Sequence, residues 1–138
     1  MGSTPQERHL SIESNLFLLP SAVQLIRGKK LLVIDDSLVR GNVVQRVKKL
    51  LLEVAGVQKA VILSYTPPLG VVGDDGIPRG CVDGIDMPPD DDFIARVKEE
   101  SGQVRNATPE EINHKAGMPV YYLSRDSLNA VFDHMGLE

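Results

Sequence analysis

The segment Lys29-Lys30-Leu31-Leu32-Val33-Ile34-Asp35-Asp36-Ser37-Leu38-Val39-Arg40-Gly41-Asn42 constrains the fold more than any other. A basic pair leads into four apolar residues, the pattern of a short buried strand. Two adjacent carboxylates, Asp35 and Asp36, close that strand, and a small loop carries the chain into an amphipathic stretch. The first turn of a helix leaves backbone N–H groups unpaired and bears a partial positive charge, so such a joint suits a phosphate. Acids at the carboxyl end of a strand border the crevice where open α/β sheets bind ligands. A loop for a phosphate beside carboxylates that accept hydroxyl hydrogens suits a phosphorylated sugar.

The flanking pattern supports a βαβ unit. From residue 42 to about 55, Val43, Val44, Val47, Leu50, Leu51 and Val54 recur at three- and four-residue steps, which predicts a helix with one apolar stripe. Asn42 is suited to cap its start and Gly56 to end it. Lys48 and Lys49 fall where positive charge complements the dipole, and they are expected at the surface. Lys59 to Tyr65 is the next strand, stopped by Pro67-Pro68. Two strands joined through a helix predict a parallel sheet with a right-handed crossover.

Upstream, residues 4–14 are polar and expected to be a mobile arm, while Asn15 to Leu19 is expected to be a strand and Ser21 to Ile26 a turn or short helix. Downstream, residues 69–90 are rich in Gly and Pro, a connection long enough to require a function or disorder. Phe93 to Val97 is expected to start a helix behind Asp90, Asp91 and Asp92. Thr108-Pro109-Glu110-Glu111 spells a helix start with a capping box. Met118 to Leu123 is expected to be a strand. A last helix follows, capped by Ser124 or Asp126 and ended by Gly136, with Leu128, Val131, Phe132 and Met135 as its buried stripe.

Composition bounds the function. The 138 residues carry a formal net charge of -4, so no basic footprint for nucleic acid exists. No apolar run approaches the ~20 residues of a membrane helix, and no signal peptide opens the chain. The single cysteine, Cys81, rules out an internal disulfide and fits a cytoplasmic location; it is expected to be a buried small hydrophobe. His9, His114 and His134 show no metal-binding spacing.

Val33-Ile34-Asp35-Asp36-Ser37-Leu38-Val39-Arg40-Gly41-Asn42 resembles the phosphoribosyl-pyrophosphate motif of the type I phosphoribosyltransferases, in the form found in glutamine amidophosphoribosyltransferases. A second stretch repeats that family's plan: Tyr65-Thr66-Pro67-Pro68, then Cys81-Val82-Asp83-Gly84-Ile85-Asp86-Met87-Pro88, with Val71 to Gly80 inserted between. Thr4-Pro5-Gln6-Glu7-Arg8 is similar to the opening of the family's flexible loop, and the closing helix–strand–helix order also matches. The resemblance implies one incomplete phosphoribosyltransferase domain, an open, mainly parallel sheet with flanking helices. It implies that Asp35 and Asp36 hold the ribose hydroxyls and Mg²⁺ and stabilise positive charge at the anomeric carbon. It assigns the 5′-phosphate to Ser37, Leu38, Val39, Arg40, Gly41 and Asn42, with Arg40 ranked as more structural than ligating.

The reaction implied is attack of ammonia on C1 of phosphoribosyl pyrophosphate, giving 5-phosphoribosylamine and pyrophosphate in purine synthesis, with purine nucleotides as inhibitors. The match does not extend to the family's glutaminase domain, its earlier transferase strands or the cysteines of its iron–sulfur cluster. A homo-oligomer or completion by another chain is therefore expected, and autonomous turnover is in question. The alternative is a non-catalytic phosphoribosyl- or nucleotide-binding module, or a regulatory or assembly fragment. A two-component receiver fits less well, because no later strand ends in Thr/Ser and Lys at receiver spacing.

Overall fold

The computed structural model describes residues 16–80, 87–89 and 92–136. In chain order the elements are α1 (Pro20–Ile26), β1 (Lys30–Asp35), α2 (Asn42–Lys48, continuing as a π-helical stretch Lys49–Val54) and β2 (Lys59–Ser64). There follow β3 (Arg96–Lys98), β4 (Val104–Asn106), α3 (Pro109–Ala116), β5 (Val120–Tyr122) and α4 (Arg125–Met135). β2 lies between β1 and β5, and both pairings are parallel, with Lys30 opposite Lys59, Asp35 opposite Ser64 and Ser64 opposite Tyr122. β3 and β4 form a separate antiparallel pair. The expected open parallel sheet with flanking helices is present.

One face of the sheet builds the core. Leu31 and Val33 of β1, Ala60 and Ile62 of β2 and Val120 of β5 pack with Val44 and Leu51 of α2 and with Ile112 and Ala116 of α3. Side chains alternate across a strand, so the intervening residues fall on the opposite face. There Leu32 remains 60% and Ile34 66% exposed. The expectation that β1 is a buried strand is corrected: only half of it is covered, because no described element lies on the second face.

The helical run 42–54 has the expected extent, but its second half widens. The Ala55 N–H reaches back five residues to the Leu50 carbonyl, 2.9 Å. This slower winding changes the phase of the stripe. Val44, Leu50 and Leu51 are buried, whereas Val43 and Val54 face outward. The chain then reverses at Gly56, with φ 68, as anticipated.

Three further expectations are corrected. Residues 16–19 form no strand; Leu19 instead precedes α1, and Phe17 and Leu19 are exposed with no described sheet edge beside them. Phe93 to Val97 starts no helix. The chain turns at 93–95 and enters β3, because Gly102 at φ 84 closes a hairpin in which the Glu99 N–H meets the Gln103 carbonyl at 2.8 Å. α4 forms and is capped by the Ser124 hydroxyl, but none of its residues is buried. Its apolar stripe has no described surface to cover. Residues 4–14 and Cys81 lie outside the described residues.

α3 shows local coding at its most direct. Thr108 Oγ1 accepts the Glu111 N–H at 3.3 Å, and Glu111 Oε2 accepts the Thr108 N–H at 2.8 Å. Arg105 on β4 then grips the Glu111 carboxylate with Nη1 and Nη2, each at 2.8 Å, and its Nε donates to Glu99 at 3.0 Å. This fork holds the Glu111 carboxyl down to about 2 from an ordinary 4.5. A depressed carboxylate contributes stability that is complete above its unfolded pKa and lost as pH falls through the folded one. Thr108→Ala should cost about 1 kcal/mol in urea denaturation at neutral pH. Glu111→Gln should flatten the acid limb of the stability profile below the ordinary 4.5.

Candidate functional site

The strand end and the loop after it occupy the expected place. β1 terminates at Asp35, at the carboxyl edge of the parallel sheet. Asp35 continues the alternation of Leu31 and Val33 and is half-buried on the covered face; Asp36, one step on, is exposed. The two carboxylates fold back onto the turn. The Asp36 N–H donates to Asp35 Oδ1 at 3.0 Å, and the Ser37 N–H donates to Asp36 Oδ1 at 2.7 Å. Burial raises the Asp35 carboxyl above its ordinary value; the Asp36 N–H opposes this and the Asp36 charge adds to it. A cation at this edge would offset both the burial and the like-charge contact, and a sugar hydroxyl would donate to the carboxylates.

The loop is pinned from below. Leu38 is 2% exposed and belongs to the core. The Ile94 N–H donates to the Val39 carbonyl at 2.7 Å. Gly41 adopts φ 81, and a Cβ there would stand 2.9 Å from Ile94 Cδ1. Glycine suits the backbone conformation here, and a side chain would also push on the end of the buried Ile94 side chain. Above these supports, Ser37, Val39 and Arg40 are half-buried and Asn42 is exposed. The structure brings Asp35, Asp36 and residues 37–42 together in one turn, with Leu38 as its anchor and Asp36 and Asn42 facing outward.

Asn42 does not cap α2. The positive φ at Gly41 places the cap one residue earlier, and no side chain accepts from the first turn. The Gly41 carbonyl takes the Gln45 N–H at 3.0 Å.

Sequence reasoning missed the support beneath the loop. Arg96 is 5% exposed; its guanidinium lies 4.4 Å from the centre of the Phe93 ring, and its Nη1 donates to the carbonyls of Arg79 at 3.3 Å and Pro89 at 2.6 Å. A cation inside the apolar run Phe93-Ile94-Ala95-Arg96-Val97 is the signal in the sequence for this support. The inserted stretch Val71 to Gly80 is a compact turn. The Gly73 N–H meets the Ile77 carbonyl at 3.0 Å, Arg79 pairs with Asp75 at 2.6 Å, and Asn106 exchanges hydrogen bonds with Val72 at 2.6 and 3.0 Å.

A polar groove of about 430 Å³ lies elsewhere, between α2 and α3, and shares only Asn42 with the turn. Two of its lysines, Lys48 and Lys115, have structural contacts. Lys115 Nζ donates to the Arg96 carbonyl at 2.5 Å, and the Lys48 ammonium lies over Gly117, where a Cβ would be 2.8 Å away. Gln45 Nε2 donates to the Lys115 carbonyl at 3.0 Å and ties α2 to α3, while Lys115 ties α3 to β3. Among the described residues no group of three or more His, Cys, Asp or Glu could hold a metal, and no helix is long and apolar enough to cross a membrane.

No protein-family model matches this chain. It is similar to curated amidophosphoribosyltransferases. With that of Mycobacterium tuberculosis (strain ATCC 25618 / H37Rv) it shares 33% identity over 84 residues, 61% of this chain and 14% of the relative. With that of Rattus norvegicus it shares 36% over 73 residues, 53% of this chain and 12% of the relative. Among solved structures, the glutamine phosphoribosylpyrophosphate amidotransferase of B. subtilis, complexed with ADP and GMP, matches with a TM-score of 0.56 and 22% identity. That match covers 93% of this chain and 24% of that one, and it shows the shared fold. The chain spans about 14% of the length of the mycobacterial relatives, so the resemblance to this family is a partial match, of the kind a C-terminal part of the transferase fold gives.

Proposed function

We propose that this chain holds the ribose 5-phosphate end of phosphoribosyl pyrophosphate, as the sugar-binding part of an amidophosphoribosyltransferase-type site. The observation that carries the reading is the turn itself. Paired acids end a parallel strand, and the loop that follows is anchored by Leu38, backed by Ile94 and open at Asp36 and Asn42. Relatives in sequence and fold point to the same family.

In this reading each residue has a task. Asp35 and Asp36 accept hydrogen bonds from the ribose hydroxyls and, by their charge, favour a cationic anomeric carbon. Ser37 donates its hydroxyl, and Asn42 its amide, to the 5′-phosphate. Gly41 lets the loop backbone approach that phosphate closely. The two carboxylates suit Mg²⁺, which binds through one or two acids and completes its shell with substrate phosphates and water. When bound it would neutralise the pyrophosphate charge. The raised Asp35 carboxyl fits a pair that gains from a cation.

Calorimetric titration with phosphoribosyl pyrophosphate and Mg²⁺ tests this. Saturable binding of one ligand per chain is expected, with competition by GMP, which presents the same phosphoribosyl group. Absence of saturable heat would sink the reading. Pyrophosphate release on adding ammonia separates a competent transferase from a binding module.

A further inference from the structure

The polar groove between α2 and α3 concentrates positive charge in an acidic chain. Lys and Arg number 15 against 19 Asp and Glu, a formal net charge of -4. Yet Arg46, Lys48, Lys49 and Lys115 line the groove with one carboxylate, Glu53. Among the described residues no carboxylate pairs with Lys48, Lys49 or Lys115. The volume of about 430 Å³ is that of a small-molecule site. No Val, Leu, Ile, Met, Phe or Tyr lines it, so neither an apolar ligand nor the apolar face of a partner helix suits it.

We propose that this groove binds a short chain of linked phosphates. Asn42, Gln45, Lys49 and Glu53 recur at three- and four-residue steps along α2, a stripe roughly 15 Å long, so a single phosphate would meet only part of it. His114 and Lys115 supply the opposite wall from the last turn of α3. These walls are fixed before any anion arrives: Gln45 Nε2 donates to the Lys115 carbonyl at 3.0 Å, and Lys115 Nζ donates to the Arg96 carbonyl at 2.5 Å. An ammonium has three N–H donors, so two on Lys115 remain for a ligand. Donors already held in place lose little freedom on binding. Phosphate oxygens accept several charged hydrogen bonds at once, which suits lysines and an arginine converging on one groove. A long polyanion such as nucleic acid would meet the net negative charge of the rest of the chain, which restricts the ligand to a short one. The inference does not rest on the phosphoribosyl reading of the turn, which shares only Asn42 with the groove.

Calorimetric titration of the whole chain with inorganic tripolyphosphate, in magnesium-free buffer of low ionic strength, should show saturable binding. Lys49→Glu on α2 and His114→Glu on α3 should each weaken it at least about tenfold, about 1.4 kcal/mol. Both variants should keep the native circular dichroism spectrum, because the two side chains are exposed and make no hydrogen bond among the described residues. Lys59→Glu, at an exposed position of β2 outside the groove, makes the same change of charge and should stay within about twofold of native. A native chain that gives no saturable heat overturns the proposal. So does equal weakening by Lys59→Glu, which would reduce the attraction to net charge. Undiminished affinity in either groove variant overturns it as well, since the anion would then sit elsewhere, the turn included.

Discussion

An Asp35→Asn/Asp36→Asn chain should bind phosphoribosyl pyrophosphate with Mg²⁺ at least about a hundredfold more weakly than the native chain, while folding just as stably. Hydrogen bonds to charged groups contribute about 1.5–3 kcal/mol each, so losing two at the ribose exceeds the roughly 2.7 kcal/mol of a hundredfold change. The fold should tolerate the change because asparagine keeps a carbonyl oxygen for the Asp36 and Ser37 N–H groups that now bond to the carboxylates. The sign of the pKa shift points the same way. An acid whose folded pKa stands above its ordinary 3.8 weakens the fold as pH rises through that interval. At neutral pH the amide removes that penalty. Native-like affinity in the double variant, with an intact circular dichroism spectrum, would eliminate the acids as ligands.

Gly70→Ala should be the most damaging single substitution to stability outside the turn. Gly70 has φ 72, and a Cβ would stand 2.1 Å from Cδ1 of Phe93. Phe93 is 1% exposed and lies against the Arg96 guanidinium, so its ring has nowhere to go. Left-handed backbone costs a side chain about 1–2 kcal/mol. Overpacking a filled core adds about 1–3 kcal/mol. A loss of about 2–5 kcal/mol in urea denaturation is expected, and Phe93→Leu in the same chain should recover part of it, since neighbours in contact are not additive. Phosphoribosyl pyrophosphate affinity should fall as well, because Ile94, next to Phe93, supports Val39 and Gly41. A midpoint equal to the native one would show that the Phe93 packing yields.

Local signals carried the elements whose physics is local. Thr108, Pro109 and Glu111 specify a helix start within four residues, and the structure contains that capping box in full. Gly56 and Gly136 end their helices in left-handed conformations that any side chain would resist. The existence of β1, of the helix behind it and of β2 follows from spacing, and so does the placing of Asp35 and Asp36 at the strand end. Chain order also made the candidate turn legible, because all of its residues are consecutive.

Whatever depends on distant chain was not legible. Phe93 to Val97 looks helical by itself, but burial of Arg96 against Arg79 and Pro89 and the hairpin with β4 make it a turn and a strand. Ile94 supports Gly41 across more than fifty intervening residues, and nothing near either residue announces it. Burial is likewise a tertiary quantity. Periodicity shows that Leu32, Ile34 and the α4 stripe are apolar and where they point, but a face is buried only when another element lies on it. The sequence alone therefore determined the βαβ unit, the helix termini and the acid-bearing turn, through backbone conformation and capping that act over a few residues. The tertiary structure alone decided what supports that turn and which apolar faces are left bare, because packing joins segments that the chain order keeps apart.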